Sequence, residues 1–171
     1  MTQPARRSMV MAMDRNKLIG SAGGLPWHIP ADFKHFKATT LNKAIIMGRR
    51  TFSEDIKRAL PKRTNIVVTR NTQWTCDGVE VVFGLEQAFA LADELLPNAE
   101  EHCVIGGAQL CREAIASTQR LYLTVVEAEF EGDTWFDSFD FSHWQVSEKK
   151  YLQVGEGNQW PVSFYTLDRA E

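Results

Sequence analysis

The feature of this sequence that most restricts its fold is a series of short apolar runs. They are "MVMAM" (9–13), "AIIMG" (44–48), "NIVVT" (65–69), "VEVVF" (79–83), "CVIGG" (103–107) and "LYLTVVEA" (121–128), each about one strand long. Several are apolar at consecutive rather than alternate positions, the pattern of strands covered on both faces. Between them, 30–41, 51–59, 85–96 and 108–116 read as helices, the first with Pro30 near its start, where a missing N–H costs nothing. Strands and helices alternating in this way specify an open α/β sheet with mostly parallel strands. The C-terminal stretch breaks the alternation. "WQVSEKKYLQV" and "VSFYTLDR", joined by the turn-like "GEGNQWP", predict a hairpin of two antiparallel strands. The expected fold is therefore α/β: a central, mostly parallel eight-stranded sheet flanked by helices, with a C-terminal antiparallel hairpin. In 171 residues there is no repeat, linker or low-complexity tract, so 8–171 reads as one domain behind a short N-terminal extension, 1–7.

Charge and composition narrow the partners. A net charge of -3 gives no general attraction to nucleic acid or to an anionic membrane, and neither is expected as a partner. No apolar run reaches the roughly 18 residues of a membrane-spanning helix. "MTQPARRSM" is too short and polar for a secretory signal. Cys76, Cys103 and Cys111 are odd in number and lack CxxC spacing, which fits a reduced, cytoplasmic protein. With His28, His35, His102 and His143 they form no metal-ligand spacing, so no metal is expected. No surplus apolar stripe is evident, and the expected state is a monomer.

In open α/β sheets, ligands bind beyond the carboxyl ends of the strands, near helix N-termini. Three stretches meet that condition. In "IIMGRRTF" a strand ends at Gly48, and Arg49, Arg50 and Thr51 open a helix whose free N–H groups favour an anion. "VVTR" puts Thr69 and Arg70 at the same edge, so these arginines and hydroxyls suit a phosphate monoester such as the 2′-phosphate that separates NADP from NAD. They also suit a solvated sheet edge. In "CVIGGAQL", Gly106 and Gly107 let the backbone approach a pyrophosphate, or simply make a tight turn. "LIGSAGGLPWHIPAD" joins a glycine-rich stretch to an apolar end, which fits either a closing lid or an ordinary surface loop.

The remaining feature is one acid. Asp32 lies in the first turn of the helix at 30–41, among Trp27, Ile29, Phe33 and Phe36. An acid there can simply favour the helix dipole, worth ~0.3–1 kcal/mol. Phe36 shares its helix face and Phe33 borders it. A carboxylate beside aromatic walls also suits a flat heterocycle whose amidine-like N–H groups pair with both oxygens. Burial would raise its pKa above the usual ~3.9.

Taken in order, "LIGxxxxLPWxxPADxxxFKxxTLxxxxIMGRxTF", "LPxRxN", "VIGGAxL" and "LYLTxVxAxxEGDTxF" resemble dihydrofolate reductase, specifically its bacterial, chromosomal type, over nearly the whole chain. The resemblance implies that NADPH is the cofactor, delivering hydride to C6 of 7,8-dihydrofolate while a proton reaches N5. It implies that Asp32 hydrogen-bonds the pterin's N3 and 2-amino groups and assists N5 protonation through water, with Thr124 supporting the acid. Leu25 and Trp27 would belong to the closing loop from Gly20 to Trp27. Val10, Ala12, Phe33 and Ile105 would wall the pterin and nicotinamide; Phe36, Ile56 and Leu60 would sandwich the benzoyl ring. Arg63 would pair with the α-carboxylate, aided by Lys37 and Arg58. Ala12, Leu18, Ile19 and Gly20 would serve the nicotinamide. Gly48, Arg49, Arg50, Thr51, Thr69, Arg70 and the turn Gly106, Gly107, Ala108, Gln109 and Leu110 would hold the cofactor phosphates. Gly106–Gly107 would be a cis peptide. Diaminopyrimidine or folate-like antifolates are the implied inhibitors. Three departures stand out: Cys111 occupies a position where the family usually has Tyr, one extra residue lies between Thr51 and Leu60, and Leu25 stands where the family has Met or Leu, with no loss expected there. The alternatives are a sibling reductase acting on a pterin or ribityl-pyrimidine without a glutamate tail, and a nucleotide- or folate-binding module without turnover.

Overall fold

A computed structural model describes residues 4–20, 26–137, 139–155 and 158–170. Its elements in chain order are β1 (Arg6–Asp14), β2 (Leu18–Gly20), α1 (Pro30–Thr40), β3 (Ala44–Gly48), β4 (Thr64–Val68), β5 (Val79–Val82), α2 (Leu85–Leu95), β6 (Glu101–Gly106), α3 (Ala108–Ala114), β7 (Arg120–Val126), β8 (Thr134–Trp135), β9 (Trp144–Leu152) and β10 (Val162–Arg169). Eight strands form one sheet in the order β5-β4-β3-β6-β1-β7-β10-β9, and β2 pairs with β8 in a small separate ribbon. All pairings from β5 to β7 are parallel, and β10 then runs antiparallel to both β7 and β9.

The continuous apolar runs have a direct physical cause. Ala44 and Ile46 of β3 join the large cluster that includes Met9, Met13, Ile66, Val104, Leu121 and Leu123 and packs against Phe89 and Leu110. Their strand neighbours Ile45 and Met47 point to the opposite face, where they meet Phe52 and Val67. Both faces are thus buried, and each such side chain contributes about 1.5–3 kcal/mol. A third cluster of Trp27, Ile29, Val126, Val162 and Phe164 seals the start of α1 against the antiparallel end of the sheet.

Two expected boundaries need correction. Arg6 and Arg7 are not outside the sheet but open β1. The Arg6 guanidinium lies 3.0 Å from Glu101, and Arg7 lies 2.8 Å from Glu86 and stacks 4.2 Å over Phe89. Paired in this way, both residues extend the strand. The helix expected over 51–59 is shorter and more loosely wound. Thr51–Ile56 is a π-helix, closed by the Lys57 N–H donating to the Phe52 carbonyl at 2.6 Å, and Lys57 stops it at φ 68°. A π-turn takes one residue more than an α-turn, so this segment is wound more loosely than the expected helix.

Candidate active site

At the carboxyl ends of the parallel strands the backbone stops and two cavities open. One, of about 820 Å³, is lined by Gly48, Arg49, Arg50, Thr51, Thr69, Arg70 and the Gly107–Leu110 turn. The other, of about 720 Å³, is lined by Val10, Ala12, Trp27, Asp32, Phe33, Phe36, Lys37, Ile56, Leu60, Arg63, Ile105, Cys111 and Thr124. Ile19, Thr51, Glu54, Asp55, Gly107 and Ala108 line both, so the two form one continuous cleft.

The acid of the second cavity is set by α1. Ile29 is the N-cap without a side-chain cap bond, Pro30 occupies the first turn, and Asp32 follows with its N–H donating to the Ile29 carbonyl at 2.9 Å. Asp32 points across the cleft to β7, where the Thr124 hydroxyl donates to its Oδ1 at 2.8 Å. Burial raises its pKa above the ordinary carboxylate value, and the Thr124 hydrogen bond partly opposes that rise. The Trp27 indole N–H is buried near the same cavity without a protein partner among the described residues, so a donor is held ready at the wall. Cys111 is buried, and burial pushes its thiol up to about 12; it acts as a small neutral wall.

At the far end, Arg63 donates to the Pro61 carbonyl at 3.0 Å and to the Thr40 hydroxyl at 3.3 Å. Its loop is zipped by Asn65, a residue with no role assigned from sequence. Asn65 accepts from the Leu60 N–H at 2.9 Å and donates to the carbonyls of Leu60 and Arg63 at 3.0 and 3.1 Å. One buried amide thereby positions both a wall and a guanidinium.

The first cavity fits a phosphorylated ligand. Arg49, Arg50 and Arg70 are exposed around it, Arg50 lying 3.6 Å from Glu54. The Gly106–Gly107 peptide is cis, and Gly106 has φ 138°. A Cβ at Gly107 would sit 3.0 Å from the Thr51 hydroxyl, so a larger residue there would push Thr51 aside, and glycine keeps this floor open.

Two expected residues lie elsewhere, and a third is not among the described residues. Leu18 is fully buried and lines neither cavity, because neighbouring strand residues alternate and Ile19 takes the cleft side. Arg58 is exposed beyond the end of the π-helix and lines neither cavity, since the chain turns at Lys57. Leu25, with the loop centre 21–25, lies outside the described residues; Gly20 closes β2. Conversely, Phe83, Gly84, Leu85 and Glu113 line the first cavity and Asp55 both, none of them anticipated. The first three follow the carboxyl end of β5, and that position was the one available signal.

A cleft at strand ends thus carries arginines and a bare glycine floor in one half and a half-buried carboxylate beside aromatic side chains in the other, an arrangement able to hold a phosphorylated ligand next to a flat heterocycle. Comparison with known proteins narrows the class. The dihydrofolate reductase family profile matches residues 7–169. The chain is 46% identical over 162 residues to dihydrofolate reductase type 3 of Salmonella typhimurium, covering 95% of this chain and 97% of that one. It is 40% identical to dihydrofolate reductase of Bacillus subtilis, covering 95% and 94%. The structure of dihydrofolate reductase from Enterococcus faecalis complexed with NADP(H) and RAB-propyl superposes with a TM-score of 0.87 at 35% identity, over 98% of each chain. The chain belongs to the dihydrofolate reductase family.

Proposed function

We propose that the reduction of 7,8-dihydrofolate to tetrahydrofolate is carried in this enzyme by Asp32 in the apolar half of the cleft, with the arginine-lined half holding the cofactor. The enzyme is an NADPH-dependent oxidoreductase. NADPH, when bound, supplies the hydride for C6. The chain's own residues do the rest. Asp32 accepts hydrogen bonds from the N3–H and 2-amino groups of the pterin and, with its raised pKa, assists proton delivery to N5 through water. Thr124 fixes the orientation of that carboxylate. Phe33, Phe36, Ile56 and Leu60 line the same cavity and would pack against the bound substrate. Arg49, Arg50, Thr51, Thr69 and Arg70 receive the phosphates, and Ala12 and Ile19 orient the nicotinamide. The observation that carries this reading is the Asp32–Thr124 hydrogen bond inside a cavity continuous with the arginine-lined one. The test is loss of nicotinamide absorbance on mixing protein, NADPH and dihydrofolate, abolished in an Asp32 variant.

Arg63 is proposed to bind the substrate's tail. Its guanidinium, hydrogen-bonded to Thr40 and Pro61 at the end of the Asp32 cavity, is proposed to pair with the α-carboxylate. Arg63→Ala is expected to raise KM for dihydrofolate roughly ten- to hundredfold, the loss of ~1.5–3 kcal/mol of charged hydrogen bonds, with KM for NADPH unchanged. Equal KM values for wild type and variant would support the tail-less-substrate alternative. Diaminopyrimidine antifolates are proposed to bind as cations paired with Asp32. We further propose a cytoplasmic monomer; no helix among the described residues is long and apolar enough to cross a membrane. Sedimentation equilibrium is expected to return the mass of one chain.

A further inference from the structure

Beyond the groups that touch ligand, we propose that Asp14 is a positioning residue that couples the two halves of the cleft. Asp14 ends β1 and is completely buried. One carboxylate oxygen accepts from the backbone N–H groups of Asn16 at 2.7 Å and Leu18 at 2.9 Å. The other oxygen accepts from the N–H of Phe130, 116 positions away, at 2.8 Å. A buried carboxylate that satisfies three backbone donors is a tie between chain segments rather than a surface charge.

One tied segment leads to a residue shared by both halves of the cleft, the other to the wall of the Asp32 half alone. Leu18 is followed by Ile19, which lines both cavities. The turn leading to it is further fixed where Lys17, at φ 66°, donates from Nζ to the Phe139 carbonyl at 2.6 Å. Phe130 packs 5.3 Å from the Trp27 ring and 5.0 Å from Trp160. Trp27 in turn lines the cavity of Asp32. Asp14 thus sets Ile19 through one oxygen and the backing of Trp27 through the other, without reaching either cavity itself. Neighbouring contacts run the same way: the Arg15 N–H donates to the Ala128 carbonyl at 3.1 Å, and its guanidinium lies 3.3 Å from Glu127.

The two oxygens make the proposal separable from a general structural role. Asn keeps one acceptor oxygen, which the paired Asn16 and Leu18 N–H groups claim, and turns an amide N–H₂ toward the Phe130 N–H, donor against donor. Asp14→Asn is therefore expected to slow hydride transfer and raise KM for dihydrofolate about tenfold or more while leaving the NADPH Kd, read by quenching of tryptophan emission, within about twofold. Asp14→Ala removes both acceptors and is expected to weaken NADPH about tenfold as well. Should Asp14→Ala fail to fold, the split in Asp14→Asn and the amide exchange of the wild type remain. The Leu18 and Phe130 amide protons are expected to exchange at a common rate and to be slowed together by NADPH. Asp14→Asn affecting both ligands equally, or neither, or unrelated exchange at the two amides, would overturn the proposal. The inference rests on the placement of Ile19 at the cofactor. An Ile19→Ala variant that binds NADPH as wild type would remove that placement and the inference together, whereas weakened binding there beside a silent Asp14→Asn would remove the inference alone.

Discussion

Replacing Asp32 by Asn is expected to lower the rate of hydride transfer at neutral pH by at least about a hundredfold while leaving NADPH affinity within about twofold, the scale of a lost general acid. Asn has nearly the same shape, and its amide oxygen still accepts from Thr124, so the 2.8 Å contact that orients the side chain survives. What disappears is the charge that pairs with the pterin and the proton it passes on. The pH profile separates the two states. Burial raises the folded pKa of Asp32, so in the wild type the protonated form persists to higher pH than for an ordinary carboxyl, and the rate falls as pH rises through that raised value. In the variant the proton must come from solvent, and residual activity should climb continuously as pH falls. Stability should move the other way. A folded pKa above the unfolded one means the group's contribution is fully present at pH below the unfolded value and is lost as pH rises through the folded value. Above the folded pKa the ionised Asp32 is therefore a cost to the fold, and there the Asn variant should melt at the same temperature as wild type or higher. Cationic antifolates should bind the variant weakly. Single-turnover kinetics and thermal melts check both halves; a parallel loss of NADPH affinity would mark the substitution as structural damage.

That pairing of lost function with retained stability explains why so much of the cleft could be read from the chain. A carboxylate placed among Trp27, Phe33 and Phe36 departs from the local rule that burial and charge avoid each other, and departures of that kind collect at functional sites. Gly48-Arg49 and Gly106-Gly107 were visible for a related reason, since each sits where an apolar run stops. The strands themselves were legible because consecutive apolar residues such as Ile45 and Ile46, in a chain without long apolar segments, fit little besides a strand buried on both faces. Other parts left little or no local trace. Phe83, Gly84 and Leu85 reach the first cavity only because β5 lies outside β4 in the strand order, which is a property of topology and not of spacing. The π-winding of Thr51–Ile56 differs from an α-turn by one residue over six, too short a span for periodicity to register. Leu18 and Ile19 are equally apolar, and the alternation that sends Leu18 into the core and Ile19 to the cleft depends on register with β8. Asp14 and Asn65 act on segments that neighbour them in space, with hydrogen bonds the sequence does not announce.

The opposite behaviour, stability lost with function intact, is expected at Glu101. This residue opens β6 and is 3% exposed. Its carboxylate receives Lys43 at 2.6 Å, Ser8 at 2.5 Å, Tyr122 at 2.7 Å and Arg6 at 3.0 Å. Burial alone would push its pKa up, but the hydrogen bonds from Lys43, Ser8 and Tyr122 outweigh it and bring the value down to about 2, against 4.5 for a free glutamate. The folded value lies below the unfolded one, so this stabilisation is present above pH 4.5 and is lost as pH falls toward 2. The gap corresponds to about 3 kcal/mol at neutral pH. Glu101→Gln leaves Lys43 and Arg6, each under a third exposed, beside a neutral amide, and removing one partner of a buried ion pair costs about 3–5 kcal/mol. The exposure of the two cations places the expected loss at the lower end, about 3 kcal/mol, or a fall in melting temperature of roughly 6–12 °C for a chain of this size. The difference between variant and wild type should shrink as the melts are repeated at decreasing pH below 4.5, because the wild type then loses the same interaction. Below its melting temperature the variant should keep its kcat/KM for dihydrofolate. Glu101 stands at the start of β6 and the cleft at its end, about 17 Å along the strand by its rise per residue. A constant stability difference down to strongly acid pH would show that the carboxylate's charge is not what holds this end of the sheet, and a fall in kcat/KM without unfolding would tie it to the cleft instead.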